Sequence, residues 1–431
     1  MSAGKNNSAI AVAGIPGILL LLLLFVGVFA SVLATDLPWY VRYKNQVWFP
    51  AFSAITQPYR TETIQHPNGT PEVLQFDIID WKSLPAESIV MAPVPWAPDE
   101  PDPLNRDYTG PFDEQKFNFS AGNVISMPWR YRHWLGTDAM GNDLLAGLIH
   151  GAGVSLLIGL AAMLLAGFTG VFLGAVSAYF GNQGLSLSRS QQLLLVPALG
   201  LGLFWAFVAR SYNLSDAFAT GYLSTIFSVL LSVCIMFLCI AFACFAGRIF
   251  HFIPAMKKAK PIPLDSMVQV MSEIFQSIPR LVLIVSLAAI FHQKSIGMVI
   301  AIIGMMSWPP VYRYCRAEML RVRELSFIEA ARAYGLPEWR ILFRHALPHT
   351  LAPVTTELAF LAGASIIAES SLSFLGIGLP DHVVTWGSLL SSGRQQFDAW
   401  WMVVFPGLAI FITVLCFNIL AERIRAYRRF S

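Results

Sequence analysis

The sequence predicts an all-α integral membrane protein, and three observations carry that prediction. Of its 431 residues, 55% are hydrophobic and only 13% are charged, whereas a soluble domain carries about 25% charged residues. Mean hydropathy is +0.58, and the apolar residues are gathered into runs near the length, about 20 residues, that a helix needs to cross a bilayer. The basic stretches between those runs fall on one side of a membrane when the runs are counted as eight spans. A net charge of +3 is too small to suggest nucleic acid as a partner.

The first span is expected from Ile10 to Leu33, within an anchor over residues 1–34. Its apolar core exceeds the usual 7–15 residues of a signal peptide, so it reads as a retained anchor. Residues 35–150 form the long polar segment, rich in Pro, Asp and Trp, with turn signals in "HPNGTPE" and "APDEPDPLN". Acidic residues outnumber basic ones there, which suits an extracytoplasmic face. Further spans are expected at Gly153–Tyr179, Leu193–Val208, Tyr222–Ala246, a run ending at Phe291, Ile296–Val311, Leu351–Phe374 and Trp401–Leu420. The run after Arg280 is short by itself. It is expected to start within "VQVMSEIFQSIP", with Pro279 as a kink or entry point.

With an internal N-terminus, the basic stretches 247–260 and 313–348 and the tail 423–431 all become cytoplasmic. The prediction is therefore a multi-pass membrane protein in contact with lipid, both termini cytoplasmic. The five cysteines, Cys234, Cys239, Cys244, Cys315 and Cys416, all lie outside the polar segment and read as small apolar fillers.

Between two apolar runs the chain carries "SFIEAARAYGLPEWRILFRHALP", residues 326–348. Ser326 followed by Glu329 reads as a capping box. "EAARAY" is a good helix former, and Ala330, Ala331 and Ala333 are expected to leave one side smooth. Gly335 suits a left-handed helix stop. Pro337 suits the first turn of a second helix, which Pro348 is expected to close. Helix–helix connections usually need about 2–8 residues, so this elbow does more than connect. Two uses stay open on physical grounds: a docking surface for another protein, or an amphipathic segment with Arg332, Arg340 and Arg344 at lipid head groups.

These residues resemble the EAA loop of ABC-importer permeases: Glu329-Ala330-Ala331, then Gly335, then Leu347-Pro348. Arg344, His345, Leu347 and Pro348 fit the Arg-His-x-Leu-Pro of the dipeptide and oligopeptide permease branch, while His349 stands where that branch usually has asparagine. The stretches 133–159, 369–380, 385–394 and 399–420 resemble the same branch in order and spacing, and residues 37–50 resemble microcin C-type oligopeptide permeases. The family usually has arginine at the place of Asn142, and an acidic end where this chain has the basic tail.

The resemblance implies a type I importer permease core of six transmembrane helices, the N-terminal anchor and five spans within the core segments 151–182 and 264–422, here with an inserted two-span hairpin at 183–263. It implies that residues 313–350 form a cytoplasmic coupling loop docking into an ATPase. It further implies a second homologous permease, two ATPase subunits and an extracytoplasmic solute-binding protein as partners, with a peptide or peptide-like cargo. Nickel chelates or glutathione are alternative cargoes for the same machine.

The chain has no G-x-x-x-x-G-K-[ST], so ATP and magnesium are expected at the partner ATPase and no cofactor on this chain. It also lacks H-E-x-x-H, Cys-x-x-Cys and a nucleophile elbow, so no catalytic or metal site is expected. His345 and His349 are too few to hold zinc. An ionisable group within a span costs about 2.5–3.5 kcal/mol on insertion scales, which singles out Glu273, Arg280, Glu357 and Glu369. Glu273 and Arg280, seven apart, would share a helix face and can pair with each other or with the partner permease; Glu369 falls in the stretch that resembles the family, which implies a structural role. Two rivals are an ion-coupled secondary transporter using Glu273, Glu357 and Glu369 as relays, although internal repeats are lacking, and a membrane-anchored sensor whose segment 35–150 binds a ligand, which leaves the ordered resemblances near the C-terminal end unexplained.

Overall fold

The computed structural model describes residues 3–43, 46–53, 61–65, 71–76, 79, 81–84, 87–118, 124–184, 186–210, 212–213, 216–217, 222–249, 259–290, 294–394, 396 and 398–430. It falls into two compact units. One holds Met1–Leu157, Glu369–Gly376 and Asp381–Cys416; the other holds Ile158–Ala368, Ile377–Pro380 and Phe417–Ser431.

The first unit opens with α1 (Ala3–Val28), which breaks at Gly14, where φ is 48°. The expected span Ile10–Leu33 is therefore not one helix: Gly14–Val28 is a shorter apolar helix, and a separate turn follows at Ala30–Leu33. The polar segment then builds short strands: β1 (Pro38–Tyr43), β2 (Gln46–Trp48), β3 (Thr61–Gln65), β4 (Pro71–Gln75), β5 (Ser88–Met91), β6 (Lys116–Asn118) and β7 (Val124–Ser126). β1 is the central strand of an antiparallel sheet in the order β2-β1-β5, while β3–β4 and β6–β7 are two-stranded ribbons. Val41 pairs with Trp48 on one side and Ile89 on the other. Around it Val41, Trp48, Phe76, Trp81 and Met91 make a small core, and the Trp81 indole donates to the Phe76 carbonyl at 3.1 Å.

Next comes α2 (Leu144–Phe180), a helix of 37 residues. Asp143 caps it, its carboxylate accepting the Ala146 amide at 2.7 Å. α1 crosses α2 where Gly27 meets Gly153; a Cβ added to Gly27 would lie 2.7 Å from the Gly153 Cα. The unit also contains α12 (Trp386–Gly393) and the start of α13 (Trp401–Phe430), which are numbered in chain order after the helices below.

In the second unit the stretch expected as an inserted hairpin begins with β8 (Ser186–Ser188), which pairs with β9 (Ala259–Pro261). Between them stand α3 (Arg189–Leu203), continued by a π-helical segment Phe204–Val208, and α4 (Tyr222–Ile249). Ser188 and Gln191 form a capping box at the start of α3. Ser190 and Gln191 donate to the carbonyls of Gly247 and Cys244 at 2.8 and 2.9 Å, tying the hairpin together at its base. Most of the basic stretch 247–260 lies outside the described residues.

The rest of the unit comprises α5 (Leu264–Ser277), α6 (Arg280–Ile290), α7 (Ile296–Met306), α8 (Trp308–Val322), α9 (Ser326–Ala333), α10 (Glu338–Arg340) and α11 (Leu347–Phe374). α5 and α6 bend by 83°. Ile278, ahead of Pro279, is extended with φ −98° and ψ 133°, as the proline ring requires of its predecessor. This bend corrects the expected Glu273–Arg280 pairing, because the two residues belong to different helices. The Arg280 guanidinium donates instead to the Ala364 carbonyl at 3.1 Å.

α2 and α8 approach closely through glycine. A Cβ on Gly170 would lie 2.7 Å from the Val311 Cβ, and one on Gly174 would lie 2.8 Å from the Tyr312 carbonyl oxygen. Small residues four apart let two helix backbones touch in this way. Beside that contact Ala166, Ala178, Cys315, Met319 and Val322 are buried in one core.

Among the described residues four helices are long and apolar enough to cross a membrane: Leu144–Phe180, Leu230–Ile249, Glu338–Phe374 and Trp401–Tyr427. There are six if each of the bent pairs α5–α6 and α7–α8 makes one span. Gly14–Val28 is too short to join them, and α3 with its π-helical continuation is not among them, which is where the expected eight and the observed helices differ.

Candidate functional site

α8 leads directly into the elbow. Leu325 takes the half-helical position before α9, with φ −80° and ψ 144°, and no side chain caps the helix. The expected Ser326–Glu329 capping box is therefore not formed: Ser326 lies one residue too far along, already inside the helix. The C-terminal end of α9 follows the sequence reading closely. Gly335 has φ +73°, its amide bonds the Arg332 carbonyl at 2.9 Å, and the Leu336 amide bonds the Ala331 carbonyl at 3.3 Å. These two bonds are the Schellman arrangement, which needs a residue tolerant of left-handed backbone at that position.

Pro337 then takes the position before α10, with φ −65° and ψ 138°. Pro348 does not close the second helix as expected. A π-helical turn, Ile341–Ala346, follows α10 and runs straight into α11, so that Glu338–Phe374 is one helix of 37 residues. A proline inside a helix removes one amide donor and crowds the carbonyl four residues back. The wider turn just before Pro348 accommodates this.

The inner face of the elbow is apolar. Ile328, Ala331, Ile341, Leu342 and Ala346 are buried in the same core as Val311 and Met319, with Leu347 packed against it. The alanines are thus divided: Ala331 faces inward, while Ala330 and Ala333 are exposed. Glu329, Gly335, Arg344 and Pro348 are exposed as well, and His345 is half-buried. His349 contacts the Phe327 ring, centroids 5.0 Å apart. Among the described residues no group of three His, Cys, Asp or Glu side chains is placed to hold a metal.

Several contacts fasten the elbow to the end of α2. The Tyr179 hydroxyl donates to the Glu338 carboxylate. Arg332 pairs with Glu338 at 3.3 Å and lies over the Tyr179 ring. Arg323 donates to the Ala178 carbonyl at 2.7 Å, and Phe180 meets Trp339 with centroids 4.8 Å apart. Trp339 in turn stacks on Phe343. Sequence reasoning missed Tyr179 and Glu338. Their separation of 159 residues leaves no local signal; the available hint was the run of aromatic residues threaded among the arginines.

The intramembrane ionisable residues do not converge. Glu273 accepts a hydrogen bond from the Gln269 amide at 3.0 Å, and Glu357 interacts with the charge of Arg313. Glu369 is fully buried in a cage of hydroxyls: Ser373 donates to it at 2.8 Å and Ser370 at 3.3 Å, with Ser155 and Thr385 as further partners. Thr385 also caps α12.

A second buried cluster sits in the polar segment. The His133 imidazole bridges Asp143 at 2.8 Å and Asp102 at 3.3 Å, and the Asn105 amide donates to Asp102 at 2.6 Å. Burial alone pushes the imidazole's pKa down, but the hydrogen bonds and charges of Asp102 and Asp143 outweigh it, and His133 titrates above its ordinary value. Burial pushes Asp102 up, while hydrogen bonds from His133, Asn105 and the Leu104 amide hold it below the usual carboxylate range.

Long apolar helices, glycine-mediated helix contacts and a structured elbow between two of them are the features of a polytopic membrane protein. Residues 253–428 match the family of binding-protein-dependent transport system inner membrane components. Over 162 residues the chain is 35% identical to a putative peptide transport system permease protein of Brucella suis, covering 37% of this chain and 54% of the relative. It is 33% identical over 163 residues to the oligopeptide transport system permease protein OppC of Escherichia coli, covering 38% and 54%. A longer, more distant match, 24% over 300 residues, covers 69% of the chain and 74% of the probable D,D-dipeptide transport system permease protein DdpC of Escherichia coli. The chain thus spans about half the length, 54%, of the relatives it matches at 33–35% identity.

Proposed function

We propose that this chain is the non-catalytic permease subunit of an ATP-driven importer of peptides or peptide-like solutes. It would line half of a translocation path completed by a second, similar permease. Two ATPase subunits would act from the cytoplasm, where both termini lie, and an external binding protein would deliver cargo. ATP and magnesium are used by the ATPase partner. The observation that carries the reading is the two-sided elbow. Its apolar face continues the core of α2, α8 and α11, while Glu329, Ala330, Ala333 and Gly335 are left exposed. Small residues at the exposed face permit another protein to approach the helix backbone. The buried face transmits a displacement into the spans, because packed cores move as discrete bodies. The names of the similar proteins support a peptide cargo.

The test is purification of the full chain from its native membrane in mild detergent, with co-purifying chains identified by mass spectrometry. Gly335→Pro is run in parallel. Proline fixes φ near −65°, opposite in sign to the +73° seen at Gly335, and removes the amide bonded to Arg332. An ATPase and a second permease should accompany the wild type, and the ATPase should be lost from the variant. A wild type that purifies alone while those partners are expressed would remove the basis for the proposal.

A further inference from the structure

A polar cleft of about 470 Å³ opens between α5 and α8. That volume lies within the range of small-ligand sites, about 300–1,000 Å³. α5 supplies Gln269, Glu273 and Gln276, and α8 supplies Arg313 and Arg316. The α5 residues recur at i, i+4 and i+7, so they form one stripe along a helix.

The charges in the cleft are not equally engaged. Arg316 is committed, holding Asp265 through two hydrogen bonds of 2.6 Å. Arg313 is exposed and donates no hydrogen bond to any described residue; its charge is felt by Glu357 on α11. The hydrogen bond that Glu273 accepts comes from a neutral amide, Gln269. Among the described residues the cleft therefore offers one uncommitted guanidinium, one carboxylate without a cationic hydrogen-bond partner, and the accepting side-chain carbonyls of Gln269 and Gln276, whose amide nitrogens already donate to Glu273 and Ser272.

We infer that this cleft is a contact site for zwitterionic, peptide-like solutes, deepening the importer reading on which the substrate class rests. Arg313 takes the carboxylate, for which a guanidinium fork is shaped. Glu273 takes the ammonium group, and Gln269 and Gln276 meet the peptide amides. An anionic lipid head group shares the affinity for Arg313, but it gains nothing from Glu273.

The test uses the full chain with its associated subunits in phosphatidylcholine nanodiscs. Arginines are modified with phenylglyoxal and quantified residue by residue by mass spectrometry. Tri-alanine is titrated as the probe, and tri-alanine carrying a C-terminal amide is the control. At ten times its half-saturating concentration, tri-alanine should slow modification of Arg313 about tenfold by mass action. The amide should leave that rate unchanged, and Arg316 should respond to neither. Glu273→Gln should shift the tri-alanine titration to higher concentration. Equal protection by both peptides, or by neither, overturns the inference. So does protection by phosphatidylglycerol nanodiscs with no further effect of tri-alanine. If an ATPase co-purifies but Arg313 is not protected, the cleft fails and the importer reading stands. If Arg313 is protected but no ATPase is found, the reverse holds.

Discussion

Substitution of Gly174 by alanine measures how tightly α2 and α8 are pressed together. The added Cβ would sit 2.8 Å from the Tyr312 carbonyl oxygen, 2.9 Å from the Cys315 Cβ and 3.2 Å from the Arg316 amide nitrogen. Ordinary contact begins at 3.4 Å, so the nearest pair must part by about 0.6 Å (3.4 less 2.8). Two of these neighbours are backbone atoms, which cannot turn aside as a side-chain tip can. Overpacking of this kind costs about 1–3 kcal/mol. Replacing glycine by alanine within a helix returns at most about 1 kcal/mol. Because the backbone neighbours cannot yield, the cost lies toward the upper end of its range, and the net expectation is a loss of up to about 2 kcal/mol. The control is Gly200→Ala in α3, where no atom lies within 4 Å of the new Cβ. There only the helix-propensity gain remains, about 0.5–1 kcal/mol. Both variants are compared with wild type by thermal unfolding of the purified chain in one detergent. Gly174→Ala should melt lower and Gly200→Ala slightly higher. A Gly174 variant as stable as wild type would refute the close approach of the two helices.

Two further outcomes follow from the geometry. Leu342 is fully buried in the elbow core, so Leu342→Ala should cost about 2–5 kcal/mol and expose the elbow to limited proteolysis, whereas truncation of the more exposed Phe343 removes its stacking on Trp339 and should cost about 0.5–1.5 kcal/mol. The His133 cluster sets a pH window. Asp102 is held below its ordinary 3.8, so its contribution is present above that value and is lost as pH falls through the lower folded pKa. His133 is raised above its ordinary 6.5, so its contribution is present below 6.5 and is lost as pH rises through the higher folded pKa. Thermal unfolding from acid to alkaline pH should show a stabilisation, full between about pH 4 and 6.5; His133→Gln should remove its alkaline edge and shrink its acid edge, which Asn105 and the Leu104 amide still support.

The elbow shows which features a sequence makes legible. Gly335 was readable because a left-handed stop after a helical run excludes most other residues. The Ser326–Glu329 pattern misled because S-x-x-E does not say which residue stands half outside the helix; Leu325 took that place. Pro348 read as a stop, yet the turn preceding it widened and the helix ran on. Spacing also failed across Pro279: seven residues mean one face only on a continuous helix, and an 83° bend removes that condition. The His133 cluster joins residues 10 and 31 positions apart, and the elbow's link to α2 spans 159. Such pairings are settled by packing, which no local pattern encodes.

The π turn at Ile341–Ala346 makes the long second helix of the elbow a shaft with one surplus residue in its winding. Each residue of an α-helix turns the chain by about 100° and advances it 1.5 Å. That surplus therefore fixes the phase between the elbow and everything C-terminal to it. The membrane part of the shaft is not free to rotate independently: Val354 and Leu361 face the core that also holds Ile341 and Leu342 only because the extra residue is kept in the turn. Deleting a single residue there would let the turn close to ordinary α winding with that phase kept, whereas straightening the turn with all its residues retained would aim the membrane part at a different neighbour.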